Sequence, residues 1–388
     1  MRKPELLAPA GDLEKLKMAL IYGADAVYLG GEQFGLRKAA KNFNLDQIEE
    51  GVNFAHKRGK NVYVTLNIIP HNEDLVGLGE YVHNLNDLNV DGVIVSDPGV
   101  FSIVRRETPS LPIHLSTQAS VTNYETIKFW YDLGIKRIVV ARELSLKEIK
   151  EIIGRMPKDL EIEAFVHGAM CISYSGRCLL SNYMANRDSN RGECAHPCRW
   201  KYYLMEEKRP GEYFPVYENE KGTFIFNSKD LCMLNHIPEL VESGIASFKI
   251  DEYFKNPEKY IYKEEWLDEI KKASYRDFTT GFYFGKPTGE EQVYTNSSYI
   301  RTYDFSGLVL NYDENTGIAT IEQRNRMFLG DEIEVFGPDK YHFTQKIEKM
   351  WNEEGEEIDV APHPQQIVKM KMNKPVENWD ILRIARRD

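Results

Sequence analysis

Long apolar runs, surplus positive charge and cysteine are all scarce in this chain, and each shortage closes a class of function. No stretch approaches the ~20 consecutive apolar residues that a membrane-spanning helix needs, so the sequence does not read as a helical membrane protein. The opening residues Met1-Arg2-Lys3-Pro4-Glu5 run straight into a strand-like segment and contain no signal-peptide h-region. A cytoplasmic location is therefore expected. Lysine and arginine number 49 against 60 aspartates and glutamates, a net charge of −11. Bulk electrostatics give no reason to expect non-specific nucleic-acid binding, so any RNA contact has to come from a local basic patch. Five cysteines are too few for a disulfide scaffold. No GxGxxG fingerprint follows the first strand-like run, no HExxH pair marks a zinc peptidase, and no Gly-x-Ser-x-Gly elbow marks a serine hydrolase.

What is present is a large apolar supply, 42% of 388 residues with 12% aromatic, enough for a sizeable core and for two or three domains. The first two-thirds alternates short aliphatic runs with helix-period segments. Strands are expected at Glu5–Ala10, Ala26–Gly31, Val62–Asn67, Gly92–Asp97, Ile113–Gln118, Arg137–Arg142, Glu161–Gly168 and Ser247–Asp251. Runs such as Val93-Ile94-Val95 are apolar throughout, as strands buried on both faces are. Eight β-then-α units predict an α/β fold of the TIM-type (β/α)8 barrel, with a doubly wound open sheet as the competing architecture. Strand starts lie 21 to 36 residues apart up to the seventh, then 86 residues separate Glu161 from Ser247. The barrel is thus assigned to residues 1–275, with a cysteine-bearing insertion at about 169–235 after strand seven. Within the insertion, Phe224–Asn227 is expected to pair with Lys201–Met205 as a hairpin, and Lys229–Leu234 looks like the first turn of an apolar helix. Residues 276–301 read as a linker. Residues 302–388 read as a small antiparallel β-barrel domain, and their net charge of −6 weakens the idea of an RNA-binding module.

Cys171, Cys178, Cys194 and Cys198 have six, fifteen and three residues between them. They follow strand seven, and the C-terminal ends of barrel strands carry the chemistry. A structural zinc takes two tight pairs, which only Cys194–Cys198 resembles. A cubane 4Fe–4S cluster tolerates uneven spacing and takes four thiolates. From Cys171 to Lys201 the chain is net +3, with Arg177, Arg187, Arg191, Arg199 and Lys201, which suits an anionic cluster. Iron–sulfur, zinc and unligated thiols all stay open on spacing alone. Cys232 reads as a buried thiol, with a ligand or redox role as the alternative.

Glu163, Phe165 and His167 share one face of the expected seventh strand, and Lys249 shares a face with Asp251 in the eighth. An inward lysine at a barrel mouth needs a partner, either Glu163 or an anionic ligand. Glu163, His167 and Lys249 are the candidate catalytic residues, with a backbone-satisfied core histidine as the plainer reading of His167. Asn67, Gln118, Arg142 and Glu143 end strands where a ligand would meet them, although Arg142 and Glu143 also suit a local ion pair. Arg177 and Arg199 complete the substrate-binding candidates. Trp200, Tyr202 and Tyr203 beside Arg199 suit either base stacking or a hairpin core.

The run Glu163-x-Phe165-x-His167-Gly168-x-x-Cys171-x(6)-Cys178, with Ser175-Gly176-Arg177 before the second cysteine, resembles the signature of the collagenase-like peptidases of unassigned catalytic type. The resemblance extends through Glu5-Leu6-Leu7-Ala8-Pro9-Ala10-Gly11, Gly23-Ala24-Asp25-Ala26-Val27-Tyr28, Asn227-Ser228-Lys229-Asp230-Leu231, Ser247-Phe248-Lys249-Ile250 and Ala361-Pro362-His363-Pro364. Within that family, Gly192-Glu193-Cys194-x-x-x-Cys198-Arg199-Trp200 is similar to the branch forming 5-hydroxyuridine at the wobble position of tRNA. The resemblance implies a barrel and a 4Fe–4S cluster on Cys171, Cys178, Cys194 and Cys198. It also implies oxygen-independent hydroxylation with prephenate as co-substrate and tRNA as partner. Relatives hydroxylate a ribosomal RNA cytidine or the ubiquinone ring. Arg142 suits a bidentate grip on a carboxylate, of which prephenate carries two. A homodimer or a partner subunit of the same family is a further expectation. One departure is Asp251-Glu252-Tyr253, where relatives carry Glu-Gly-Arg. Peptidase activity, from the family's older name, and a zinc-stabilised binding scaffold are the alternatives.

Overall fold

Eight parallel strands close into the expected barrel in this computed structural model. It describes residues 3–35, 42–170, 178–187, 189, 194–195, 197–199, 218–219, 222–223, 229–249, 264–285, 300–338 and 342–386. The first strands are β1 (Glu5–Ala10), β2 (Ala26–Gly30), β3 (Asn61–Leu66), β4 (Gly92–Val95), β5 (Ile113–Leu115), β6 (Arg137–Val139) and β7 (Glu161–Phe165). After β8 (His167–Ala169) and β9 (Asp230–Cys232), β10 (Ser247–Lys249) completes the ring, whose order is β1-β10-β7-β6-β5-β4-β3-β2. The closed ring excludes the open doubly wound sheet.

The helices between strands start where the sequence supplies caps. Asp12 accepts from the backbone N–H of Lys15 at 2.8 Å and opens α1 (Leu13–Ile21). Asn44 with Gln47 forms a capping box for α2 (Leu45–His56). Then come α3 (Leu78–Asp87), α4 (Pro98–Glu107), α5 (Tyr124–Asp132) and α6 (Leu146–Arg155), the last with a Ser145–Glu148 capping box. Their apolar stripes, including Leu16, Ile48, Val52, Leu85, Val104, Ile127 and Ile149, bury against the outer faces of the strands. All four residues of β4 are buried, as a strand with helices on one side and the barrel interior on the other must be. Among the described residues no helix is long and apolar enough to cross a membrane.

Two expectations near the seventh strand need correction. The run Glu161–Gly168 is not one strand: β7 ends at Phe165, and the chain changes partners at Val166, whose N–H donates to the Lys249 carbonyl while its own carbonyl accepts from Met233 N–H. His167 therefore lies in β8, which pairs antiparallel with β9, which in turn pairs parallel with β11 (Phe278–Thr279). Asp230–Cys232 is a strand rather than a helical turn, because β8 and β11 flank it with ladder partners on both sides. The expected Phe224–Asn227 hairpin and its Lys201–Met205 partner lie outside the described residues, as do Trp200, Tyr202, Tyr203 and Asp251–Tyr253.

The chain divides into two compact units, Met1–Tyr262 with Arg276–Ser298, and Lys263–Tyr275 with Tyr299–Asp388. A division does fall at Tyr275/Arg276, but the stretch before it, Lys263–Tyr275, belongs to the second unit and the stretch after it to the first, and the last division lies at 298/299 rather than 301. Residues 276–285 join the barrel unit through β11 and through Tyr283, which is buried and donates its hydroxyl to the Phe165 carbonyl at 2.7 Å. The helix α9 (Glu264–Lys272), reached after α7 (Leu180–Ala185) and α8 (Ile237–Glu242), joins the second unit. There Arg383 donates to Glu269 of α9 at 2.6 Å. The second unit is an antiparallel β half-barrel of seven strands. Its edge strands, Phe343–Lys346 and Met350–Trp351, are separated by only three residues of chain, which draws the two edges of the sheet towards each other. Val309, Ile321, Ile333, Val335, Val368, Met370 and Leu382 fill its concave side.

Candidate active site

A cavity of about 180 Å³ opens at the C-terminal mouth of the barrel. Its walls come from the ends of the strands, where barrel enzymes place their chemistry. Asn67, Gln118, Arg142 and Lys249, four of the residues expected from sequence, line it together with Tyr28, Asn42, Thr65, Ser116, Thr117 and Phe165.

Lys249 is held from two sides. Its Nζ lies 3.0 Å from Glu163 Oε1, and the Tyr28 ring centroid is 4.1 Å away, with the Phe165 centroid at 5.6 Å. Lys249 reaches the cavity while Glu163 is fully enclosed beneath it. The two readings of Lys249 thus combine: one carboxylate below fixes it, and its charge still meets the cavity. Glu163 itself does not line the cavity.

Below this pair the interior is a ladder of charges. Glu163 Oε2 is 3.5 Å from Arg137 Nη1, and Arg137 also grips Glu161 at 2.6 Å and pairs with Glu5. Tyr63 donates to Glu5 at 2.9 Å, and Ser247 donates to the same carboxylate at 3.2 Å. Burial, with the nearby Glu5 charge, pushes the Tyr63 phenol well up. His114 is enclosed against the Tyr63 ring at 4.6 Å between centroids. Burial first, and then the charges of Arg137 and Lys249, drive its imidazole well below the usual range, so it is neutral at pH 7. Sequence reasoning passed over both His114 and Arg137. The alternation of β5, in which His114 falls two residues before Ser116 of the cavity wall, was the available signal.

On the opposite wall the amide of Asn67 donates to Gln118 Oε1 at 3.3 Å, and Ser116 donates to the same oxygen. Asn67 Oδ1 is buried and has no hydrogen-bond partner among the described residues. The Arg142 guanidinium stacks 3.7 Å from the Phe165 ring centroid and donates through Nη1 to the carbonyl of Ala169. Its Nε is likewise buried with no partner among the described residues. No ion pair joins Arg142 to Glu143 among those residues, so the local-pair reading of the two is replaced by the stack on Phe165. Two residues of the wall thus each keep one buried polar atom without a hydrogen-bond partner among the described residues.

His167 does not reach this cavity. It is buried in β8, opposite Cys232 in the antiparallel register and 5.9 Å from the Phe278 ring. Cys171 and Arg177 lie outside the described residues. Arg199 closes a short 3-10 turn, Pro197–Arg199, with its side chain outside the described set.

The remaining cysteines share one local unit. Cys178, Cys194 and Cys198 are half-buried or nearly so, and none is in a disulfide. Ser181, in the first turn of α7 and three residues past Cys178, accepts from the backbone N–H of Ala195 at 2.9 Å. Ser189 donates to the Cys178 carbonyl at 2.6 Å. Helix α7 also packs on the 3-10 turn that carries Cys198. These bonds tie the stretch after Cys178 to the stretch after Cys194. Among the described residues no three such side chains converge closely enough to hold a metal ion, and Cys171, the fourth thiol of the expected set, lies outside them.

Residues 11–293 match the model of Peptidase family U32, and residues 301–383 match that of the Peptidase family U32 C-terminal domain. The chain is 46% identical to tRNA hydroxylation protein P1 of Bacillus subtilis (strain 168), over 98% of this chain and 95% of the relative. It is 36% identical to tRNA hydroxylation protein P of Escherichia coli (strain K12), over 93% and 92%. A 23S rRNA 5-hydroxycytidine synthase of Escherichia coli (strain K12) is 38% identical, over 65% of this chain and 37% of the relative.

Proposed function

The chain belongs to peptidase family U32, and we propose that within it this protein hydroxylates tRNA, converting the wobble uridine to 5-hydroxyuridine. One observation carries the reading: similarity along 98% of the chain, both units included, to a relative named for tRNA hydroxylation. The shorter match to a relative named for 5-hydroxycytidine formation supports position 5 of a pyrimidine as the site of reaction. The co-substrate in this proposal is prephenate, and the cofactor is a 4Fe–4S cluster on Cys171, Cys178, Cys194 and Cys198.

Replacing C5–H by C5–OH removes two electrons from the base, so the reaction needs an oxygen donor and an electron acceptor. A 4Fe–4S cluster supplies one-electron transfer when bound. The protein's own residues have defined tasks. Lys249 and Arg142 each meet a carboxylate of the co-substrate, Arg142 through its planar fork. Glu163 keeps the Lys249 ammonium in place. Asn67 and Gln118 orient the polar groups of the bound molecule, and Tyr28 and Phe165 form apolar walls that exclude water. The cavity's polar lining of cations, amides and hydroxyls is a set that binds anions, whereas a peptidase needs a nucleophile aligned with a base.

The test is mass spectrometry of tRNA nucleosides from a strain lacking the gene. The reading requires loss of 5-hydroxyuridine and its derivatives, with restoration by the wild-type chain and none by Cys194→Ala. Unchanged nucleosides on deletion would end it. Iron and sulfide analysis of anaerobically purified protein separates the cofactor readings, since one zinc without iron would favour the scaffold alternative.

A further inference from the structure

Arg142 lines the cavity and also holds the strand leading towards Cys171. It lies in the loop between β6 and α6 and lines the mouth cavity. Its Nη1 donates to the carbonyl of Ala169, the last residue of β8. Cys171 follows two residues later in the sequence. The platform beneath the guanidinium is fixed: the Phe165 ring lies 3.7 Å away, and the Phe165 carbonyl accepts from the buried Tyr283 hydroxyl at 2.7 Å. Tyr283 in turn accepts at its carbonyl from Leu146 N–H at 3.0 Å, which pins the same patch to the start of α6. Arg142 Nε, buried and without a partner among the described residues, is left to donate to an occupant of the cavity.

We propose that Arg142 is a positioning residue that couples occupancy of the mouth cavity to the cysteine segment. One edge of the planar fork holds Ala169, and another receives an anion, so the two contacts share a single rigid group. An anion that draws on the guanidinium fixes its orientation over Phe165 and thereby steadies the backbone that runs to Cys171. Lysine cannot substitute, because an ammonium is a point charge that neither stacks in plane nor bridges two acceptors at fixed angles. The coupling to a cluster rests on the iron–sulfur reading above, whereas the clamp on Ala169 does not.

The test uses the full-length protein, purified anaerobically, as wild type, Arg142→Lys and Phe165→Leu. The Phe165→Leu variant leaves Arg142 intact and removes its platform, which guards against a single misfolded variant. Amide hydrogen exchange is followed in the 166–170 peptide, and iron release to a chelator is timed. Both variants are expected to exchange faster in that peptide and to lose iron roughly tenfold faster, the scale on which supporting residues around a metal act. Added prephenate is expected to slow exchange there in wild type and to leave Arg142→Lys unchanged. Equal exchange in wild type and both variants would overturn the proposal. So would calorimetric binding of prephenate to wild type with no change in exchange. If prephenate does not bind, the co-substrate reading fails and the ligand-free comparison decides. If the protein holds no iron, the cluster reading fails and exchange alone decides.

Discussion

Lys249 Nζ stands 3.0 Å from Glu163 Oε1, on neighbouring strands of the barrel, with the carboxylate fully buried and the ammonium at the edge of the cavity. Enclosing two charges is costly, and the cost is recovered only while both are present. Removing Glu163 leaves the Lys249 ammonium without its carboxylate, whereas removing Lys249 leaves Glu163 only the longer 3.5 Å contact to Arg137.

Glu163→Gln is therefore expected to destabilise the protein by about 3 kcal/mol, because it strands buried Lys249 and takes a carboxylate from Arg137, and Lys249→Met by less, because Glu163 keeps Arg137. The double variant should cost far less than the sum. Urea unfolding midpoints measure all three. Additive losses would show that the pair is not coupled.

His114 gives a pH signature. Its folded-state imidazole titrates well below the usual value, through burial and then the charges of Arg137 and Lys249. As pH falls through about 6.5, the unfolded chain takes up a proton at this residue and the folded chain does not. Stability is then lost on acidification, at no more than about 1.4 kcal/mol per pH unit from this one group. His114→Gln should remove that slope between about pH 6.5 and pH 5, with unfolding midpoints compared at several pH values. An unaltered slope in the variant would place the proton uptake elsewhere.

The barrel was legible because its physics is local. Runs such as Val93–Val95 between capped helices leave little choice of element, and the inward aim of Lys249 follows from alternation. The break after Phe165 was not legible, since it falls at Val166, an ordinary member of the apolar run whose change of partners has no marker in the sequence. Leu231–Leu234 misled because a short apolar run suits a helix or a strand equally, and pairing on both sides decided for the strand. The attachment of α9 was invisible for a different reason: Arg383 and its partner Glu269 are 114 residues apart. Within the cavity, Asn67, Gln118 and Arg142 were found by position at strand ends. The hold of Arg142 on Ala169 depends on the chain leaving the barrel ladder after Val166, which no spacing rule conveys.

Ser181 offers a check on the cysteine unit that touches no sulfur. Its fully buried hydroxyl accepts from Ala195 N–H and is the bond joining α7 to the stretch after Cys194. Ser181→Ala leaves the N–H of half-buried Ala195 without this partner, at a cost of about 1 kcal/mol. If that bond sets the spacing of the thiols, iron content should fall in Ser181→Ala while the barrel's far-UV circular dichroism is retained. Full iron loading in the variant would mean that the thiols are arranged by other contacts.

The second unit carries its own acid sensitivity, centred on Arg383. Arg383 Nε donates to Glu334 at 2.8 Å and Nη2 to Glu269 at 2.6 Å, while Lys272 reaches both carboxylates. Burial alone would raise these carboxyls, but the hydrogen bonds from Lys272 and Arg383 outweigh it and hold both below the ordinary range. A carboxyl lowered on folding contributes stability above its unfolded value, about 4.3 for glutamate, and loses it as pH falls through the folded value. Arg383→Met should cost roughly 1–2 kcal/mol near pH 7, less than a fully enclosed pair because Glu269 is one-third exposed. The same substitution lets both carboxyls move back towards their ordinary values, so the further loss between about pH 5 and pH 3 should be smaller than in wild type. Hydrogen exchange in the Glu332–Phe336 strand, followed across that range in the full-length protein, reads both effects. A variant whose exchange depends on pH as steeply as the wild type would show that Arg383 does not set these carboxyls.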